Sequence, residues 1–296
     1  MSLRAASMIG VLTLVDAQDG LDSTAIPARA MRRDPLQAAV MRVPIDLHVQ
    51  PLIPLNKDDR HRRYEVLWEL RESKAFSAAI AGMPAAERDR KLSSLVDRRV
   101  FADLVTWLQA HPEVGKNKHH SFSIKLSKQA VYDASFLPFV RTCLQKTRLP
   151  RGMIGFEIPA ATPRKHVPAI VSLAVELEQS GCFLVLDNFS LRTESFNALR
   201  LPALRLVKLS HELTTAMNDQ RVVRAAIPAI TQMARVLGVR TVAKRTKLAA
   251  DLLRLTDFGI DYVQSVAIAP EMPIGALARS EAGVRVAGSA AQPMKA

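Results

Sequence analysis

The sequence predicts an α/β fold, a (β/α)8 TIM-like barrel whose first strand runs antiparallel to its neighbour. Three observations predict it. Eight short runs are wholly apolar or alternate apolar with polar residues, as strands do. Segments with helical spacing separate all of these runs except the first pair. Only Asn56 to Arg63 join that pair, too little chain for a crossover helix, so the two should form a hairpin. A doubly wound open sheet is the alternative arrangement of the same elements.

Residues 1–44 show no sustained period and mix small residues with Pro27, Pro35 and Arg32–Arg33. They read as a flexible or loosely docked arm. The barrel domain is expected over 45–280. Leu47–Leu55 is the first strand, with Pro51 and Pro54 pointing to an edge, a bulge or a strand end. Tyr64–Leu70 is the second. Helices are expected over 74–81 and 85–110, the latter placing Leu92, Leu95, Val96, Val100, Leu104 and Leu108 on one side. Pro112 and Gly115 end it.

Ser121–Ser127 alternates and is the third strand, followed by a helix over 128–146. Met153–Ile158 is the fourth strand, and Pro163–Gln179 a helix that ends before Gly181. Phe183–Leu186 is the fifth strand, apolar throughout and therefore buried on both faces; Asp187 and Asn188 end it. A helix over 194–199 leads to strand six at 204–209, a long helix over 222–237 to strand seven at 239–243, and a helix over 248–255 to strand eight at 262–268. Residues 281–296 are small and polar and read as a disordered tail.

Composition narrows the function. Hydrophobic residues make up 48% of the chain, which suits a folded core. Cys143 and Cys182 are far apart, lack metal-ligand spacing and read as core thiols of a reducing, cytoplasmic compartment. No apolar run approaches the ~20 residues of a spanning helix. The run Met8–Val15 is short and interrupted by Gly10 and Thr13, so export is not the favoured reading. The net charge of +13 points to an acidic partner or surface. Nucleic acid is the minority reading, because the basic residues are scattered and only 5% of residues are aromatic.

Polar residues recur at the C-terminal ends of the strands: Glu65, Lys125 with Ser127, Glu157, Asp187 with Asn188, Lys208 with Ser210, Lys244 and Gln264. In a barrel these positions converge on one mouth. Three carboxylates there would suit Mg²⁺ or Mn²⁺ and phosphodiester hydrolysis. Three lysines share the mouth, however, and ammonium groups compete with a metal ion for the same oxygens. The residues alone thus describe a metal site replaced by an internal salt-bridge cluster. Residue by residue, a solvated strand end is the simpler reading; the recurrence favours a site.

From about Asp46 to Leu277 these segments resemble, in order, the EAL domain of cyclic di-GMP phosphodiesterases. VQPLIPL resembles the family's Q-P strand, and YEVLWEL stands at E-A-L-L-R. SFSIKLS resembles V-N-L-S, FEIPA resembles L-E-I-T-E, and LVLDNFS resembles the strand ending in D-D-F-G. LVKLS resembles L-K-I-D, VAKRTK stands at A-E-G-V-E, and DYVQSVAIAPEMP resembles D-Y-x-Q-G followed by Pro.

The resemblance implies an EAL-type barrel with an antiparallel first strand. It places Glu65, Glu157, Asp187, Lys208 and Gln264 at functional positions. It also marks departures. Lys125 replaces a metal-binding Asn, Asn188 replaces the second Asp of D-D-F-G, Lys244 replaces a Glu, and Glu69 replaces an Arg that contacts the dinucleotide. The expectation is a catalytically inactive domain with no metal and no cofactor. It would act in cyclic di-GMP-related signalling through a regulatory protein partner, for example in control of motility or transcription. A non-hydrolysing cyclic di-GMP receptor using Gln50, Lys208 and Gln264 is the alternative, and an active phosphodiesterase the weaker one. A homodimer is compatible with either.

Overall fold

The computed structural model describes residues 3–4, 35–71, 76–77, 80–81, 83–162, 164–244 and 249–280. The expected tail from 281, the bulk of the expected arm and half of the helix expected over 74–81 lie outside these residues.

Eight strands close into a barrel. They are β1 (Ile45–Pro54), β2 (Arg62–Leu70), β3 (His120–Lys125), β4 (Ile154–Pro159), β5 (Phe183–Phe189), β6 (Leu204–Leu209), β7 (Arg240–Lys244) and β8 (Tyr262–Gln264). Neighbours from β2 to β8 run parallel, and β1 closes the ring antiparallel to both β2 and β8. The open-sheet alternative is therefore excluded. Two short pieces extend the edges: Leu3–Arg4 pairs with Leu70 and Glu69, and Met272–Pro273 with Val49 and His48.

The two prolines of β1 are accommodated by its neighbours. Pro54 ends the strand. Pro51 lies inside it, opposite Tyr64, but β8 pairs only with Ile53 and Pro54. A missing N–H at Pro51 thus interrupts no ladder on the β8 side.

The core has two layers. Inside the barrel, Leu52, Phe183, Val185, Leu206, Val242 and Tyr262 form one buried cluster. Outside it, the helices bury their apolar stripes against the strands. The longest helix, α2 (Ala85–Ala110), buries Leu92, Val96, Val100, Leu104 and Leu108, while Leu95 is only partly covered. Each full burial stabilises by about 1.5–3 kcal/mol. Helix α1 (Pro35–Arg42) belongs to this layer as well, with Leu36 and Val40 buried. The expected arm over 1–44 therefore docks through its last residues, because a hydrophobic pair four residues apart faces α2.

Other boundaries shift for local reasons. A single helical turn, α3 (Pro112–Gly115), follows α2, and the helix expected over 128–146 is two helices, α4 (Lys128–Tyr132) and α5 (Phe136–Gln145). Asp133 divides them: it accepts from the Ser135 N–H at 2.9 Å and pairs with Arg98 of α2 at 2.8 Å. Strand β3 stops at Lys125 because Ser127 caps α4, its hydroxyl accepting from the Ala130 N–H at 3.1 Å. Strand β8 stops at Gln264, where Ser265 begins a turn and its carbonyl accepts from Ile268 and Ala269.

Candidate functional site

One inward side chain from each strand meets at the C-terminal mouth: Gln50, Glu65, Lys125, Glu157, Asp187, Lys208, Lys244 and Gln264. Strand register does this. Gln50 lies opposite Glu65, Lys125 opposite Glu157, and Lys244 opposite Gln264. Alternation along each strand keeps these residues on the face that also carries the inner apolar cluster.

The group has two parts. In the deeper part, Lys208 is the centre. Its Nζ lies 2.6 Å from Glu65 Oε2 and 2.6 Å from Glu157 Oε1. The Ser123 hydroxyl donates to Glu157 Oε1 at 2.5 Å, and Gln264 Nε2 donates to Glu65 Oε2 at 2.5 Å and to Gln50 Oε1 at 2.9 Å. Glu157 Oε2 and Gln264 Oε1 are buried without a partner among the described residues. In the outer part, Asp187 accepts from Lys244 Nζ at 2.5 Å and from Lys125 Nζ at 3.1 Å.

Electrostatics follows this division. Burial opposes the charge on Lys208, but the facing Glu157, Glu65 and Asp187 outweigh it and hold its pKa above the ordinary range. Burial likewise pushes Glu65 up, and the Lys208 ammonium outweighs that and holds it low. Glu157 goes the other way. Complete burial, followed by repulsion from Glu65, raises it to about 7 despite Lys208. For Asp187, burial is outweighed by Lys244, Lys125 and Lys208, which hold it at about 2. Lys125 loses some basicity to burial and gains more from Asp187, so it stays protonated.

Asn188 stands apart. Its side chain is exposed and its φ of 59° lies in the left-handed region, which Asn tolerates better than most residues. Its N–H donates to Asp187 Oδ1 at 2.8 Å. Glu69 is also elsewhere. It lies opposite Asp46 and lines an outer groove of about 890 Å³ with Arg71 and Trp107.

Two residues not singled out for the mouth contribute to it. Ser123 is one. Asp97 of α2 is the other: it is buried and accepts from the Ser127 N–H at 2.9 Å. Burial raises its carboxyl to about 7, partly offset by Ser127. The small side chain of Ser123 at an inward strand position was the available signal; nothing in the spacing of α2 marks Asp97.

A cleft of about 570 Å³ opens above the group, lined by Gln50, Glu65, Lys125, Asp187, Lys244 and Gln264 among others. The donor set does not fit a divalent metal. Four of the six carboxylate oxygens, Glu65 Oε2, Glu157 Oε1 and both of Asp187, already accept from ammonium groups, and a cation placed among them would meet three positive charges. Among the described residues, no cluster of three or more His, Cys, Asp or Glu is arranged to hold one. No helix among them is long and apolar enough to cross a membrane.

Comparison with known proteins agrees with this architecture. The chain is 25% identical over 228 residues to the cyclic di-GMP phosphodiesterase PdeB of Shewanella oneidensis, a match covering 77% of this chain and 26% of PdeB. It thus spans about a quarter of that relative's length. Among solved structures, the FimX EAL domain of Pseudomonas aeruginosa bound to c-di-GMP superposes with a TM-score of 0.63 at 22% identity, covering 75% of this chain and 88% of that one. The Xanthomonas citri FimX EAL domain in complex with c-diGMP gives 0.63 at 20% identity, covering 78% and 88%. The EAL domain profile matches residues 33–271, and the chain belongs to the EAL domain family.

Proposed function

We propose that this chain is a non-hydrolysing EAL domain of cyclic di-GMP-related signalling that acts through contacts with a regulatory protein partner. The observation that carries the proposal is the pairing of Asp187 with two lysines that stand at metal-ligand positions of the family, Lys244 Nζ at 2.5 Å and Lys125 Nζ at 3.1 Å. Two-metal hydrolysis needs carboxylates free to hold ions that generate and orient hydroxide. An ammonium group neutralises the same carboxylates but cannot lower the pKa of a bound water as Mg²⁺ does. Lys208, which stands at the lysine of the family's L-K-I-D, adds its own charge between Glu65 and Glu157, at 2.6 Å from each. The mouth then gains order and loses reactivity, and the barrel serves as a binding scaffold.

A second reading has its own observation. Lys125 is 45% exposed at the edge of the cleft, and Glu69 lies outside that cleft. A phosphate approaching the mouth would meet cations, which favours a receptor that binds cyclic di-GMP without cleaving it. Incubation with cyclic di-GMP in Mg²⁺ or Mn²⁺ tests the main proposal: no linear dinucleotide should form above a control without protein, and metal-dependent product overturns it. Calorimetric titration under the same conditions separates the two readings. Saturable binding without turnover supports the receptor; absence of both leaves the protein-partner reading.

A further inference from the structure

The opposite end of the barrel carries a cationic cluster that the mouth does not use. Arg63 stands on β2 and Arg205 on β6, each near the start of its strand; Arg151 lies just before β4. The Arg63 guanidinium lies over the Tyr262 ring, 5.2 Å from its centroid, and the Arg205 guanidinium over the Phe183 ring at 5.7 Å. Both rings belong to the inner apolar cluster. Such stacking fixes where the positive charges sit. Gly152 lets Arg205 approach the backbone beside Arg151, since a Cβ there would come within 2.2 Å of Arg205 Nη1. Arg151 is held by the carbonyls of Glu178 and Gln179, at 2.9 and 3.4 Å.

Among the described residues, no carboxylate pairs with these cations. Arg205 has no carboxylate partner among the described residues. Arg63 donates to Ser121 Oγ at 3.4 Å, and its Nε is buried without an acceptor. The carboxylates at this end are engaged otherwise. Asp261 accepts from Arg240 at 2.7 Å and from the Thr241 N–H at 2.8 Å; Asp59 accepts from the His61 N–H at 2.9 Å and from the Tyr262 hydroxyl. Burial lowers the pKa of Arg205, and repulsion from Arg63 and Arg151 lowers it further, as expected of like charges held together. A cleft of about 550 Å³ adjoins Arg63 and is lined also by Arg60, His61, Arg62 and the Asp59 carboxylate.

We propose that the N-terminal mouth of the barrel is a binding site for a phosphoryl oxyanion, with Arg63 and Arg205 as its principal ligands and Arg151 completing the positive field. Guanidinium groups present paired N–H donors that match tetrahedral oxyanions, and a phosphate would supply the acceptor that Arg63 Nε lacks. The ligand is inorganic phosphate or the phosphate of a nucleoside monophosphate. A nucleic-acid strand is disfavoured, because the guanidiniums cover the Phe183 and Tyr262 faces on which bases would stack.

The test is calorimetric titration of the full chain with inorganic phosphate and, separately, with GMP, at fixed ionic strength so that screening does not change. Saturable binding of either supports the site. Binding of phosphate identifies the free ion as sufficient, and binding of GMP alone identifies an ester. Arg205→Met should weaken binding by about tenfold or more, the loss of one charge-assisted fork. Arg205 is exposed, so this variant should fold even if the part-buried Arg63→Met does not. Lys125→Met, at the other mouth, should leave the affinity unchanged. The proposal is overturned if neither probe binds saturably at millimolar concentration. It is equally overturned if Lys125→Met abolishes binding while Arg205→Met does not, or if only long duplex DNA binds.

Discussion

The Nζ of Lys208 lies 2.6 Å from Glu157 Oε1, and both side chains are 1% exposed. A charge this deep is tolerable only with opposite charge and hydrogen bonds around it, and Glu65, Ser123 and Gln264 supply them. Removing one partner leaves the others buried and uncompensated.

Lys208→Met should therefore destabilise the fold strongly, by about 3–5 kcal/mol. Urea denaturation at neutral pH measures this. A loss well under 1 kcal/mol would show that Lys208 is not what neutralises the two glutamates.

Lys125 and Lys244 differ from Lys208 in exposure, at 45% and 21%. Each pairs with Asp187 near water, so Lys125→Met or Lys244→Met alone should cost only about 1 kcal/mol or less. The double variant leaves Asp187 without its nearest cations and should cost more than the sum of the two. Strict additivity in the same urea melts would contradict a shared role.

Stability should fall as pH rises toward 7. Burial raises Asp97 from 3.8 to about 7, and burial with repulsion from Glu65 raises Glu157 from 4.5 to about 7. Between the unfolded and folded values the native state keeps protons that the unfolded chain has lost, so stability decreases with rising pH in that window. Below it, Asp187 acts in the opposite sense. Its pKa is depressed from 3.8 to about 2, so its contribution is present above about 4 and is lost as pH falls through 2. Asp97→Asn should flatten the decline between pH 4 and 7. An unchanged slope in that variant would rule out Asp97 as a source.

Gly155 is a packing position of the inner core. A Cβ there would meet the Phe183 ring at 2.4 Å. Gly155→Ala should cost about 1–3 kcal/mol through overpacking. A melting temperature equal to that of the wild type would show that the Phe183 ring moves freely aside.

Much of this architecture is legible in local chemistry. The hairpin of β1 and β2 follows from a connection too short for a helix. The span of α2 follows from its apolar period, closed by Pro112. What local chemistry hides are contacts between distant residues. The break at Asp133 depends on Arg98 and Ser94, which α2 brings from far away in the chain. The short helix His211–Ala216 follows from a Ser210 cap, whose hydroxyl accepts from the Leu213 N–H, in a stretch too brief to show a period. Within the site, strand ends identify which polar residues gather. They do not distinguish Lys208, deep between two glutamates, from Lys125 and Lys244 at the rim. That difference arises from depth along each strand and from register. Asp97 is concealed more fully, since its partner is a backbone N–H on another element.

The most direct measurement of the central claim, that ammonium groups of the protein occupy the place of metal ions at the mouth, is a thermal melt of the wild-type chain with and without excess Mg²⁺ or Mn²⁺. Neither ion should change the wild-type melting temperature, and the double variant Lys125→Met/Lys244→Met should melt clearly below the wild type without metal. A strong, saturable rise of the wild-type melting temperature with Mg²⁺, with the double variant melting as the wild type does, would contradict it.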